Sequence, residues 1–412
     1  MKQFEDYKYI DGGVCAAEGF SANGINAGIN PDKSKNDLGA IASISPCKTA
    51  CVYTQNKVKG APIIVTKENL QKSNNISQAV IVNSKNANTC NANGIEIAEQ
   101  SCELLAKYLG IPAEYVIVAS TGVIGQPMSI EPFKNGMEEL TYGLSKDGNR
   151  KAVNAIMTTD TKEKEVAVEF EIEGRRVHMG GMGKGSGMIH PNMATTLNFI
   201  TTDVNISAEL LQKAVDELVQ ITYNCLTIDG DTSTNDMLSV MANGMAGNKE
   251  ITVENGDYKK VKQALYIVMM NLTRMLAADG EGANKLIEVN CVNAPTLEIA
   301  KAVAKSVAGS SLVKCAVNGC DANWGRILCA IGYTDAEFDI SVLDVSYSSA
   351  NGTVSVFENG AGVDFSEELA TNILSAEEVY INIDMHQGSE KITAWGCDLT
   401  HEYVSINADY RS

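Results

Sequence analysis

The chain has 412 residues, 44% hydrophobic and 20% charged, with 33 Lys and Arg against 51 Asp and Glu, a formal net charge of −18. That length exceeds what one hydrophobic core usually serves, about 250–300 residues, and that composition is ordinary for a folded globular protein. The acidic balance excludes the basic face that a nucleic-acid or anionic-membrane partner requires.

The N-terminus, MKQFEDYKYIDGG, carries acids and no apolar run, so it reads as neither a secretory nor a transit segment. No stretch offers eighteen apolar residues, so no membrane span is expected and the cytoplasm is the expected compartment. The eleven cysteines are scattered without a CxxC pair, which points to free thiols in a reducing compartment.

Residues 1–60 hold short apolar runs broken by Gly and Asn, which predicts strands and turns, with Asp37–Ser43 a strand entering a loop. Residues 79–94 read as a buried strand and an Asn-rich loop, and 95–110 as a helix stopped by Gly110. Residues 115–125 read as a strand ending in a tight loop with exposed backbone amides; the next clear helix covers about 147–157. Apolar and polar residues alternate over 165–181 about Glu173-Gly174, a hairpin signal.

Beyond the hairpin, LNFITTDV reads as a strand. Residues 207–226 are an amphipathic helix with Ser207 as N-cap, 227–236 a polar loop, and 258–282 and 296–310 two more helices. The remainder is dominated by strand-like runs: LIEVNCV, FDISVLDV, GTVSVF, VYINIDM, KITAWG and YVSIN. Helices and strands mix without strict βα alternation, which favours an α+β arrangement. Composition places no domain boundary.

The stretch GGMGKGSGMIHPNMATTLNFITT, residues 180–202, stands apart, with five glycines inside eight positions and a proline close behind. Glycine permits φ > 0 and close backbone approach, and proline fixes its own φ. Such a bent loop, ending in Ala194 and Thr195, can expose one peptide bond to its own side chain. An N-terminal threonine supplies both a hydroxyl nucleophile and, in an α-amine titrating near ~7.7–8.0, its base. The plain alternative is a threonine in a strand after a turn.

The segment from Lys184 through Thr195 resembles the signature of the ornithine acetyltransferase family, the bifunctional glutamate N-acetyltransferases of arginine biosynthesis. Further stretches match in order: Asn83–Cys90, Ser120-Thr-Gly-Val123, Asp229–Asp236 and Asn318–Arg326. Three positions depart from the pattern: Lys85 where glycine is frequent, Cys320 and Ala322 in a segment more often Gly-Ala-Asp-Pro-Asn-Trp, and Thr196 where methionine is common.

The resemblance implies self-cleavage between Ala194 and Thr195 into chains 1–194 and 195–412, intertwined and assembled as a heterotetramer of two of each. It implies Thr195 as nucleophile, Thr121 and Gly122 as the oxyanion hole, and Thr158, Lys184, Thr195, Glu281, Asn407 and Ser412 as substrate-binding positions. The implied reaction moves acetyl from N-acetylornithine to glutamate. Some family members also accept acetyl-CoA; no cofactor or metal is implied. The implied fold is a layered αββα sandwich like that of N-terminal-nucleophile hydrolases, with a smaller C-terminal α/β region. Two other readings remain open on the residues: an N-terminal-nucleophile amidase or peptidase using water as acceptor, and an uncut amino-acid-binding scaffold.

The glycine stretch is not a phosphate loop of the Walker type, because Gly185 follows Lys184 where Ser or Thr is needed. Asp229, Asp231 and Ser233 begin like a calcium loop, but Thr234 stands at the turn glycine and no Glu ends it. His178, His190, His386 and His401 lack ligand spacing, so no metal is expected.

Overall fold

The computed structural model describes residues 1–190 and 196–409. The first part of the chain forms β1 (Lys8–Ile10), β2 (Phe20–Ile25), β3 (Leu38–Tyr53), α1 (Ala61–Lys72), β4 (Ile76–Asn83), α2 (Gly94–Leu109), β5 (Val116–Ser120), α3 (Glu131–Tyr142) and α4 (Asn149–Ile156). The middle forms β6 (Glu165–Ile172), β7 (Arg175–Lys184), β8 (Leu197–Thr202), α5 (Ala208–Ile221), β9 (Met237–Ala242) and α6 (Gly256–Ala278).

These nine strands make one sheet in the order β1-β6-β7-β8-β9-β3-β4-β5, with β2 also on β3. Strand β3 is the bend. Its first half pairs with β2 and β4, its second half with β9, and the β3–β4 register slips between Ala42 and Cys47. A slip of this kind kinks a strand and re-aims it. The sheet thus becomes two leaves with a shared core.

Period-two alternation decides which side chain faces which layer. Ile41, Val80, Val82, Ile117 and Ala119 from one leaf pack with Met182, Leu197, Phe199, Met237 and Met241 from the other. The intervening residues Ala40, Ile81 and Val118 face α2 and α3 on the outside. On the far side Val166, Val168, Ile200 and Val240 face α5 and α6. The result is the expected αββα layering.

The last part forms β10 (Leu286–Ala294), α7 (Leu297–Gly309), α8 (Ser311–Asn318), α9 (Trp324–Gly332), β11 (Asp344–Ser349), β12 (Gly352–Glu358), β13 (Ala361–Gly362), α10 (Glu367–Leu374), β14 (Glu378–Asp384), β15 (Glu390–Cys397) and α11 (His401–Ala408). Its strands make a six-stranded sheet, β13-β12-β11-β14-β10-β15, with β10 and β14 parallel. Its core is continuous with that of α5 and α6, so this smaller α/β region grows directly from the sandwich.

Local chemistry accounts for most boundaries. Gly110 ends α2 in the left-handed region, and Ser207, Asn255 and Thr296 cap α5, α6 and α7 by accepting backbone N–H groups. Glu173 and Gly174, both at positive φ, make the β6–β7 turn. No described helix is long and apolar enough to cross a membrane, and all eleven cysteines are free thiols.

The structure departs from the sequence reading at identifiable places. The strand at Asp37–Ser43 does not stop in a loop but continues to Tyr53. Helix α1 was hidden by its Ile63-Ile64-Val65 run, which reads as strand. Helix α3 was hidden by Gly136, whose missing Cβ admits Ile25 Cδ1 and Ala27. Helices α8, α9 and α10 lie in the part read as strand-dominated. In FDISVLDV only Asp344 and Val345 belong to a strand, the start of β11, with a short 3-10 turn at Ile340–Val342 before it, and YVSIN lies within helix α11, capped by Thr400. That last segment is all exposed or half-buried, so its β-branched and aromatic residues face no sheet partner.

Candidate active site

The glycine-rich stretch enters the middle of the molecule as the end of β7, and around it a cavity of about 130 Å³ opens. Its walls include Thr121, Gly122, Thr158, Lys184, Glu281 and Asn407, together with Thr159, Gly187, Thr196, Asn235 and Asp236. Six positions singled out in the sequence, from β5 to α11, thus converge on one space. Ala194, Thr195 and Ser412 lie outside the described residues. A larger open groove of about 760 Å³ beside β1 and α4 contains none of these positions.

The loop after β5 is built rigidly. Asn83 takes the Ser120 hydroxyl on its Oδ1 at 2.6 Å and donates to the carbonyls of Ser84 and Asn86. Asn235 donates to the carbonyls of Ala87 and Ser120 at 2.6 and 3.0 Å. Gly122 has φ +131, and a Cβ there would sit 2.2 Å from the Lys85 carbonyl carbon, so only glycine fits. Lys85 itself has φ +76, which explains why glycine suits that position better.

Sequence reasoning gave this loop free backbone amides, and the structure modifies that. The Thr121 N–H is spent on the Asn83 carbonyl at 2.9 Å. What Thr121 offers the cavity is its hydroxyl, whose oxygen accepts from Lys184 Nζ at 3.2 Å. The Gly122 N–H has no hydrogen-bond partner among the described residues.

Lys184 is the cation of the cavity. It is 9% exposed, and among the described residues no carboxylate lies within 4 Å of its ammonium. Burial pulls its pKa below the ordinary lysine value, and the nearby charge of Asp160 works against that shift. Glu281 is the anion. Its Oε1 accepts from the Thr159 hydroxyl at 2.8 Å and its Oε2 from Asn407 Nδ2 at 2.7 Å, and no described cation pairs with it. Gly187 passes so close that a Cβ would lie 2.4 Å from Glu281 Oε2. The Glu281 N–H in turn donates to the Ser186 carbonyl at 2.8 Å, tying the turn after α6 to the glycine stretch.

Below the cavity lies a cluster that sequence reasoning did not find. Lys164, its side chain 1% exposed, bonds Asp160 at 2.7 Å and Asp279 at 2.5 Å. Asp160 also accepts the N–H groups of Thr158 and Gly185, and Asp279 those of Thr161 and Lys162. Burial alone would raise the Asp160 carboxyl, but Lys184 and Lys164 overcome it and hold the group well below the usual carboxylate range. The cluster fixes the backbone that carries Thr158 and Lys184. Its only sequence signal was Asp160 beside Thr158 in Met157–Asp160.

The other side of the cavity comes from Asp229–Asp236, to which sequence reasoning assigned no role. Asp229 accepts the N–H groups of Met188 and Ile189 at 2.6 and 2.9 Å, fixing the approach to residues 191–195. Asp236 accepts the Thr196 N–H at 2.9 Å. His190 is not among the residues lining the cavity and bonds Thr227 Oγ1 at 2.9 Å. Among the described residues no group of three or more His, Cys, Asp or Glu is arranged to hold a metal.

Comparison with known proteins gives a consistent result. The model of the ArgJ family matches residues 21–412. The chain is similar to the arginine biosynthesis bifunctional protein ArgJ of Caldanaerobacter subterraneus subsp. tengcongensis, 46% identical over 98% of this chain and 99% of that protein. It is similar to ArgJ 1 of Clostridium acetobutylicum, 47% identical over 95% and 96% of the two chains. Among solved structures it matches the ornithine acetyltransferase of Mycobacterium tuberculosis complexed with ornithine, 32% identical over 46% of this chain and all of that one, with a TM-score of 0.42.

Proposed function

The chain belongs to the ArgJ family, and on that footing we propose that it is a self-processing acetyltransferase of arginine biosynthesis, moving acetyl from N-acetylornithine to glutamate. The observation that carries the proposal is a pair of opposite charges lining one cavity, neither of them in a salt bridge among the described residues: the buried ammonium of Lys184 and the buried carboxylate of Glu281. A buried charge left unpaired is costly. A ligand bearing both an α-carboxylate and an ammonium group supplies the missing partners at once. N-acetylornithine, through its α-carboxylate and side-chain ammonium, and glutamate, through its α-carboxylate and α-ammonium, are such ligands, which lets one cavity serve donor and acceptor in turn; glutamate's α-amine loses its proton before it attacks.

In the processing step Thr195 Oγ attacks the Ala194 carbonyl carbon. The new C–O bond forms, the C–N bond breaks, and the hydroxyl proton ends on the Thr195 nitrogen. Water then hydrolyses the ester, giving chains 1–194 and 195–412. The freed α-amine serves as base for the same hydroxyl in catalysis.

In the transfer step Thr195 Oγ attacks the acetyl carbonyl of N-acetylornithine. The Thr121 hydroxyl and the Gly122 N–H are the available donors for the oxyanion, and such donors are worth about 10²–10³ in rate. Ornithine departs with the proton, leaving acetyl on Thr195, and glutamate takes the acetyl by the reverse sequence. Thr158, Lys184, Glu281, Asn407 and Ser412 hold the amino-acid part. Acetyl-CoA as an alternative donor would enter as a substrate; no cofactor is part of the proposal. A cytoplasmic heterotetramer of two chains of each kind completes it.

Denaturing mass spectrometry tests the processing step, and acetylated product from N-acetylornithine plus glutamate tests the transfer. Two fragments meeting at 194/195 and N-acetylglutamate formation are expected. Free acetate without that product would instead mark an amidase, and one mass near 44 kDa an uncut scaffold. Thr195→Ala should remain whole and inactive.

A further inference from the structure

Asp236 closes the cavity from the β9 side, and the reaction written above does not use it. Its side chain is buried, the residue being 3% exposed. Oδ1 accepts the Thr196 N–H at 2.9 Å, which is the amide of the peptide unit joining Thr195 to the rest of the chain. Oδ2 is buried with no hydrogen-bond partner among the described residues.

Thr196 is itself held against its preference. Its φ is +137, a region that a β-branched residue resists. Three hydrogen bonds keep it there: its N–H to Asp236, its carbonyl from the Met237 N–H at 3.0 Å, and its hydroxyl from Asn198 Nδ2. Strain of this kind persists only where surroundings over-determine the backbone, and it concentrates at functional sites.

We infer that Asp236 is a positioning residue for the chemistry at Thr195, holding the N–H of Thr196, the residue that follows it, through Oδ1. The inference rests on the proposed self-processing. Burial raises the Asp236 carboxyl well above the usual range, and Ser233, the Thr196 N–H and Lys184 oppose this without restoring the ordinary value. The geometry carries the inference: a buried carboxyl holds the N–H of the residue that follows Thr195, in a backbone conformation the neighbouring bonds enforce.

The test compares wild type, Asp236→Asn and Asp236→Ala, by thermal melting, by the rate at which purified precursor is cut, and by kcat and KM for N-acetylornithine. Asp236→Asn keeps an acceptor for the Thr196 N–H; it should be cut within about tenfold of the wild-type rate. Asp236→Ala frees the peptide unit and should slow cutting by about 100-fold, the cost of misplacing reacting atoms by about 1 Å. Whatever Asp236→Ala protein is cut should lose kcat while keeping KM. An unaffected Asp236→Ala overturns the inference, as does a folded Asp236→Asn that stays whole. If Asp236→Ala does not fold, Asp236→Asn decides alone. Wild-type protein that stays whole overturns the proposed function and the inference with it.

Discussion

Two lysines are buried within a few residues of the same backbone, and the molecule treats them in opposite ways. Lys164, below the cavity, meets two carboxylates, Asp160 and Asp279, with its side chain 1% exposed. Lys184, in the cavity wall, meets only a threonine hydroxyl among the described residues. A buried ion that is fully paired holds backbone in place; a buried ion kept without a counter-ion is stabilised by something that arrives later. The contrast separates the floor of the site from the part that receives a ligand. Each half can be tested by removing one charge.

The larger effect belongs to the floor. Lys164→Met leaves Asp279 without its ion pair and Asp160 with the charge of Lys184 alone, and should cost about 3–5 kcal/mol in chemical denaturation. It should also move acid unfolding. Asp160 is held below its ordinary value, so its contribution is present above about pH 3.9 and lost as pH falls through the folded value. Without Lys164 that loss begins at higher pH. A loss of stability under about 1 kcal/mol would erase the distinction between the two lysines.

Lys184→Met sharpens the same comparison from the other side. Asp160 keeps Lys164, and the desolvation of the Lys184 ammonium disappears together with its attraction to Asp160, so the stability loss should be smaller than for Lys164→Met. Activity should still fall. Losing the partner of a buried ligand carboxylate costs about 2–5 kcal/mol, which appears as a fall in kcat/KM of about 30-fold or more. Wild-type kcat/KM in this variant would show that the ammonium is only structural.

Lys184 stood out in the sequence and Lys164 did not, for a physical reason. The glycines around Lys184 are a local feature, readable in a few consecutive residues. The partners of Lys164 sit 4 and 115 residues away, and only the return of α6 to the sheet brings Asp279 in. The α+β mixture was legible in the alternation of 165–181 and in the helical spacing and Ser207 cap of α5, while the αββα layering was only an implication of the resemblance. Helix α11 was not, because its capping Thr400 and its contact to Gly282 are set by folding, while Tyr403–Asn407 has the residue types of a strand. Asp236 escaped for the same reason: its partner, the Thr196 N–H, is forty residues distant.

The paired arrangement recurs at a third cation-forming group far from the cavity. His178 Nδ1 lies 2.8 Å from Asp203 and Nε2 3.4 Å from Glu169. The hydrogen bond to Asp203 raises its pKa above the ordinary value, burial opposing. A raised histidine contributes stability that is fully present below about pH 6.5 and lost as pH rises through the folded value. Denaturation midpoints should therefore fall as pH rises above about 6.5, by no more than about 1 kcal/mol for a partly exposed pair. His178→Gln should flatten that slope and leave kcat/KM unchanged. A slope that survives the substitution would assign it to another group.

The smallest effect is expected where a neutral group stands in for a cation. Asn407 donates to Glu281 from α11, a helix with no buried residue among those described. Surface helices of that kind contribute little to stability, so Asn407→Ala should change the denaturation midpoint by less than about 0.5 kcal/mol. Its effect on substrate is another matter. The Thr159 hydroxyl keeps one oxygen of Glu281 in place, and the ammonium of a bound amino acid then meets a carboxylate with one oxygen no longer oriented. One neutral hydrogen bond is worth about 0.5–1.5 kcal/mol, so KM should rise by roughly two- to twelvefold. A fall in KM would reverse the reading, because it would mean that Asn407 competes with the ligand ammonium for Glu281.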